Sequence, residues 1–170
     1  MLIVDDDTGI CTQMKWALTK DYTIFTAHDR QQALECFKKE KPSVVILDLG
    51  LPPKADGVEE GFLTLGELLE EDSLVKVIII TGREEKENAI KAVSHGGYDF
   101  FYKPVAIDEL KVVLRRARYL ADLEQENVIL QEKLDTDVFE EMLGTSPEMQ
   151  KVYNTIDYQV DLQSFCFKPI

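Results

Sequence analysis

The sequence predicts an α/β fold, a doubly wound parallel sheet of five strands followed by a long C-terminal linker helix. Two observations carry this. Short apolar runs alternate with amphipathic stretches over about the first 120 residues. Several of the runs are apolar throughout instead of alternating, as strands covered on both faces are. A third observation, the placing of polar residues at the carboxyl ends of these runs, says where a site would lie.

The runs are Leu2–Val4, Tyr22–Ala27, Val44–Leu47, Val75–Ile80 and Tyr98–Tyr102. Between them the apolar residues change to helical spacing. Ile10, Met14 and Leu18 share one face, as do Ala33, Leu34 and Phe37, then Phe62, Leu65 and Leu69, then Ala89, Ala92 and Val93. Strand and helix patterns in strict alternation imply β/α units and a parallel sheet.

From Ile107 to about Leu134 the chain contains neither Pro nor Gly, which predicts one long helix. A line with alternating spacings of three and four runs through Val113, Arg116, Leu120, Leu123, Asn127, Leu130 and Leu134. Asn127 falls at an a-type position, where a single buried Asn favours a parallel, in-register, two-stranded coil. Some 28 residues rising 1.5 Å each reach roughly 40 Å, beyond the edge of a small domain. Leu123, Leu130 and Leu134 therefore need a partner, and a second copy of the helix is the simplest by symmetry. A homodimer through residues 107–134 is expected.

The formal net charge of -13 argues against nucleic-acid binding by this chain, because phosphate contacts need clustered Lys and Arg. It suits a protein that binds a divalent cation. Cys11, Cys36 and Cys166 are scattered and show no metal-ligand spacing, so they are read as reduced thiols in a reducing compartment. The first apolar run is cut by Asp5-Asp6-Asp7, unlike a secretory signal. No apolar run approaches the ~20 residues that cross a bilayer. The expectation is a cytoplasmic protein with no membrane partner.

The first strand ends at Asp5-Asp6-Asp7, the third at Asp48, the fourth at Thr81 and the fifth at Lys103-Pro104. Taken singly, each has a bland explanation: a solvated turn, a turn or cap residue, a loop. Together they place carboxylates, a hydroxyl and an ammonium on one edge of the sheet. Carboxylates at two strand ends suit Mg²⁺, a hard cation that binds phosphate together with one or two carboxylates. Asp48 is the candidate nucleophile, because a carboxylate can form an acyl phosphate. The metal offsets the repulsion between an anionic nucleophile and an anionic phosphorus centre. Lys103 and Thr81 could hold the phosphoryl oxygens.

The stretches Leu2-Ile-Val-Asp-Asp-Asp7, Val45-Ile-Leu-Asp-Leu-Gly-Leu-Pro52, Ile78-Ile-Ile-Thr-Gly82 and Phe100-Phe-Tyr-Lys-Pro104 resemble the receiver domain of two-component response regulators, the CheY-like family, over residues 1–119. That resemblance implies a flavodoxin-like strand order of 2-1-3-4-5. It implies that Asp48 accepts phosphate from a sensor histidine kinase and that Asp6 binds Mg²⁺ directly. Asp5 would assist through water, and the Gly50 carbonyl and Asp48 would complete the metal site. Thr81 and Lys103 would bind the phosphoryl group, and the Phe100 side chain would follow the state of Thr81. The chain would be a phosphoacceptor that assists its own phosphorylation and dephosphorylation, not a conventional enzyme. The Lys103-Pro104 bond resembles one that is cis in the family. One departure is the stretch Pro52-Pro-Lys-Ala-Asp-Gly-Val-Glu-Glu-Gly61, longer than the family's turn, which predicts an extended loop or a changed start to the third helix.

A second, shorter resemblance lies in Phe139-Glu-Glu-Met-Leu-Gly-Thr-Ser-Pro-Glu-Met-Gln-Lys-Val-Tyr153. It is similar to the opening of the AAA+ domain of nitrogen-regulatory-type, enhancer-binding transcription activators. The phosphate loop GxxxxGK[ST] does not follow it. The expected organisation is a receiver domain at 1–119, a linker or coiled-coil helix at 120–136, the start of a truncated AAA+ domain at 137–156, and an atypical tail at 157–170. Two rival functions share parts of this pattern. A haloacid-dehalogenase-like phosphatase also uses an aspartyl phosphate, but its D-x-D-x-[TV] pattern fails here, with Gly9 after Asp5 and Asp7 and Thr8 one place early. A pseudo-receiver, an interaction module that is never phosphorylated, would not need the intact Asp, Thr and Lys set.

Overall fold

The computed structural model describes residues 1–53, 57–82 and 86–142. Within these, the elements run β1 (Leu2–Val4), α1 (Thr8–Leu18), β2 (Phe25–Ala27), α2 (Arg30–Glu40), β3 (Val44–Asp48), α3 (Glu59–Glu71), β4 (Lys76–Thr81), α4 (Lys86–Ser94), β5 (Asp99–Tyr102) and α5 (Ile107–Met142). The five strands form one parallel sheet in the order β2-β1-β3-β4-β5.

Every residue of β1, β3 and β4 is buried, the physical reason their sequences do not alternate. The pleat divides them between two cores. Leu2, Val4, Val45, Leu47, Val77 and Ile79 pack with Ala33 and Phe37 of α2, Leu65 and Leu68 of α3 and Ala92 of α4. Ile3, Ile46, Ile78 and Ile80 point the other way, onto Cys11, Met14 and Leu18 of α1 and Leu110, Leu114 and Ala117 of α5. Helix starts follow from local chemistry. Asp7 caps α1 by accepting from the amides of Gly9 and Ile10 at 2.7 and 3.2 Å. Asp29 caps α2 through the Gln32 amide at 2.8 Å, and the Gln32 side chain returns to the other Asp29 oxygen at 2.6 Å. Helix α2 stops where Lys41 turns left-handed, at φ 43°.

The second strand is shorter than its apolar run: only Phe25–Ala27 pair with β1, while Tyr22 and Ile24 pack into the core beneath α1 and α5. After β3, Leu49 and Leu51 are fully buried, and α3 does not begin until Glu59. Its N-cap, Val58, makes no side-chain cap, and Glu59 and Glu60 face the positive helix end. The Lys103–Pro104 peptide is cis, as is Pro52–Pro53.

Helix α5 runs unbroken past residues 119 and 136 to Met142. Two compact units divide the chain, Met1–Gln125 and Glu126–Ile170. In the first, Leu110, Leu114, Ala117 and Ala121 form the buried seam of α5. The next step of that seam is Glu124, whose carboxylate pairs with the ammonium of Lys76, the first residue of β4. On the expected coil line, Leu120, Leu123 and Leu130 are exposed, Leu130 to 57%. The Leu134 side chain and the expected segments beyond Met142 lie outside the described residues. Among the described residues, no helix is long and apolar enough to cross a membrane.

The tightest backbone approach is at Gly61, in the first turn of α3, where an added Cβ would lie 2.5 Å from the Leu49 Cα and carbonyl oxygen. Backbone atoms on both sides leave no flexible group to yield. Gly61→Ala should therefore cost roughly 2–3 kcal/mol, as overpacked sites do. Gly66→Ala, in the same helix with nothing within 4 Å, should be neutral or stabilising. Urea denaturation of both variants checks this, and equal midpoints would contradict it.

Candidate acidic site at the carboxyl edge of the sheet

The register of the central strands brings distant residues together. Val4 pairs with Leu47, and one step further the two strands carry Asp5 and Asp48. On the other side, Thr81 pairs with Tyr102, and the Lys103 amide donates to the Thr81 carbonyl at 2.8 Å. The Lys103 ammonium then reaches back to both carboxylates, 2.7 Å from Asp48 Oδ2 and 2.9 Å from Asp5 Oδ2.

Asp5 is 2% exposed and Asp48 7%, whereas Asp6 is exposed. One carboxylate oxygen from each of the three lies within 4.8 Å of the others. Metal–oxygen distances of about 2.0–2.1 Å put opposed Mg²⁺ ligands about 4 Å apart, so three oxygens already gathered this closely need only a small adjustment to hold a small divalent cation. Three carboxylates face one ammonium, leaving two negative charges that a divalent ion would balance.

Burial pushes the Asp48 carboxyl above the usual aspartate range, against the opposing pull of its hydrogen bond and charge contact with Lys103. The Gly50 amide also donates to Asp48. Burial alone would lower Lys103, but its hydrogen bonds to Asp48 and Asp5 and their charges prevail and hold it above the ordinary lysine value. Behind the cluster, burial and then the Asp5 charge push the Cys11 thiol up to about 11, so it stays protonated.

Thus Asp5, Asp6, Asp48 and Lys103 converge, with Gly50 on the Asp48 loop. Thr81 is fully buried at the end of β4, one residue past Ile80, the partner of Asp48. Phe100 is half-buried and pairs with Ile79, and its ring meets Tyr102 edge-on at 5.4 Å between centroids. Tyr102 is therefore a neighbour of both Thr81, its strand partner, and Phe100. Asp7 belongs to the same acidic run but serves α1 as its cap.

Sequence reasoning missed His28, which follows β2 on this same edge. Its Nδ1 lies 3.0 Å from the Asp5 backbone oxygen, which also accepts from the Cys11 thiol at 3.5 Å. The His28 amide donates to the Gln32 side chain at 3.3 Å, and Gln32 is itself held by Asp29. The rule used for the other strands, that chemistry gathers at their carboxyl ends, would have found it.

The response regulator receiver domain family matches residues 1–115. Transcriptional regulatory protein KdpE of Staphylococcus aureus is 34% identical over 131 residues, covering 76% of this chain and 54% of KdpE. Nitrogen assimilation regulatory protein NtrX of Azorhizobium caulinodans is 31% identical over 159 residues, 92% of this chain and 34% of NtrX. Among solved structures, the receiver domain of NtrX from Brucella abortus superposes with a TM-score of 0.63 at 31% identity, over 68% of this chain and 95% of that domain. The longer Brucella NtrX in complex with ADP gives 0.69 at 28% identity, over 92% of this chain and 33% of that protein. The chain spans about half the length of KdpE and about a third of NtrX.

The raised Asp48 pKa has a measurable consequence without metal. A carboxyl that holds its proton more tightly when folded contributes its full stability below the unfolded pKa of ~3.9, and loses it as pH rises through the folded value. Asn at this position has no such loss. The stability of Asp48→Asn relative to wild type should therefore grow as pH rises above about 4, in urea titrations with chelator present. A difference that shrinks or reverses over that range would contradict the electrostatics described.

Proposed function

The chain belongs to the response regulator receiver domain family, and from this we propose that Asp48 takes a phosphoryl group from the phosphohistidine of a sensor histidine kinase, with Mg²⁺, and that α5 passes the signal on by dimerisation. Receiver domains are signalling domains and not conventional enzymes. The observation that supports this reading most is the buried Asp48 carboxylate, held between Lys103 and the Asp5–Asp6 pair at the carboxyl edge of the sheet.

An Asp48 carboxylate oxygen attacks phosphorus. The new O–P bond forms as the P–N bond to the kinase imidazole breaks, and the electron pair leaves with that nitrogen. Asp6, Asp48 and the Gly50 carbonyl would hold Mg²⁺ directly and Asp5 through water. When bound, the ion supplies the positive charge that lets two anionic groups meet. Lys103 exchanges part of its pairing with Asp48 for a phosphoryl oxygen, and the Thr81 hydroxyl donates to another. The turn of Thr81 is followed by Phe100, through the Tyr102 ring packed beside it. The same groups assist loss of the phosphoryl group to water.

Beyond the receiver core, the exposed Leu120, Leu123 and Leu130 of α5 support a parallel helix pair with Asn127 facing its own mate. A transcription-activating output belongs to the same proposal, on the likeness to longer regulators such as KdpE and NtrX.

Two outcomes test this. A small-molecule phosphodonor with Mg²⁺ should add one phosphoryl mass to the chain, and both Asp48→Asn and chelation should abolish it. A base-labile acyl phosphate formed on the Asp48→Asn variant would refute the assignment. In sedimentation at micromolar concentration the chain should be a dimer, lost on truncation after Tyr119, while Asn127→Leu raises stability and loosens register. A monomer with and without phosphodonor would leave α5 a passive linker.

A further inference from the structure

The peptide between Asp5 and Asp6 joins two carboxylates of the acidic cluster, so its plane sets where both side chains start. Three contacts fix it or its neighbour. The Asp5 amide donates to the Ala27 carbonyl at 3.2 Å. The Asp5 carbonyl oxygen takes the weak thiol donor of Cys11 at 3.5 Å and lies 3.0 Å from His28 Nδ1. A carbonyl oxygen only accepts, so the His28 nitrogen facing it carries the proton. Of the two donors to this oxygen, the imidazole is the stronger and the nearer.

His28 is itself held in place. Its backbone amide donates to Gln32 Oε1, and Gln32 is fixed at both its amide and its side chain by Asp29, the cap of α2. A connected path therefore runs from the start of α2 through His28 to the Asp5–Asp6 peptide, from the β2 side of the sheet, whereas Lys103 reaches the cluster from the β5 side. We propose that His28 is a positioning residue for the cation site: through its Nδ1–H it holds the Asp5–Asp6 peptide so that both carboxylates face the metal. The inference rests on the Mg²⁺ reading above and assigns to His28 a role in that site without direct metal contact. Groups that orient metal ligands from behind typically change affinity about 10–100-fold when removed.

The test compares wild type, His28→Ala and His28→Asn by calorimetric Mg²⁺ titration of the full chain, alongside urea denaturation in chelator. An Asn side chain can place its amide N–H close to where Nδ1–H stands, so it is the conservative variant. Mg²⁺ should bind His28→Ala about tenfold more weakly, near the low end of that range because the backbone contact to Ala27 remains. His28→Asn should recover most of the loss. The metal-free midpoints of all three should stay close, and phosphodonor labelling of His28→Ala should recover at saturating Mg²⁺. Equal Mg²⁺ affinity in wild type and His28→Ala would overturn the inference and leave the proposed function standing. A loss of metal-free stability that matches the loss of affinity, without recovery in His28→Asn, would make the residue merely structural and also overturn it. A wild-type chain that binds no Mg²⁺ would overturn the proposed function and the inference together.

Discussion

One ammonium group holds the acidic edge together. Lys103 lies within 3 Å of carboxylate oxygens on both Asp5 and Asp48, in a place where neither carboxylate has much water to share its charge. Removing one partner of a buried pair leaves the other charge uncompensated, at a cost of about 3–5 kcal/mol. The cluster is therefore stable enough to fold but still short of positive charge. That imbalance makes the edge receptive to a divalent cation. Burial first, and then the Asp5 charge, hold Asp48 above the ordinary aspartate range despite its direct contact with a lysine.

The convergence depends on strand register. Asp5, Asp48 and Lys103 are far apart in the chain and meet because β1 pairs with β3, β3 with β4 and β4 with β5, all parallel and in step. A slip of one residue in any pair would turn every side chain of that strand to the opposite face. Packing resists the slip: Ile3, Ile46 and Ile78 fill the core under α1 and α5, Leu2, Val45 and Val77 fill the other, and a slip would exchange side chains of different shape between two close-packed cores. The core thus does more than stabilise: it sets the separation of the charged groups. β4 carries this coupling furthest, with Thr81 at the site end and Lys76 paired to Glu124 of α5 at the other.

Much of this was legible in the sequence because it rests on local patterns. The unbroken apolar runs gave the two-sided sheet, and helical spacing gave Met14 and Leu18 of α1 and Ala33 and Phe37 of α2 as core residues. Asp5, Asp6, Asp48, Thr81 and Lys103 stood out because each ends or directly follows a strand, whereas Phe100 came only from the family resemblance. What escaped depended on partners that spacing does not name. Tyr22 and Ile24 belong to the second apolar run but pack beneath α1 and α5 instead of extending β2. Asp7 looked like its two neighbours until its capping contacts to α1 were seen. His28 follows the second strand, where no carboxylate drew attention. Glu124 and Lys76 stand 48 residues apart, and no spacing pattern pairs them; only the fold brings them together.

The chemistry proposed for this edge depends first on which atom receives the phosphoryl group. Borohydride reduces an acyl phosphate of aspartate to homoserine, so brief treatment with a phosphodonor and Mg²⁺, followed by borohydride and peptide mapping, reads the position directly. The expected result is homoserine at position 48 and at no other aspartate. Homoserine at position 5 or 6 instead, or a labelled chain with position 48 unreduced, would contradict the claim that Asp48 is the acceptor.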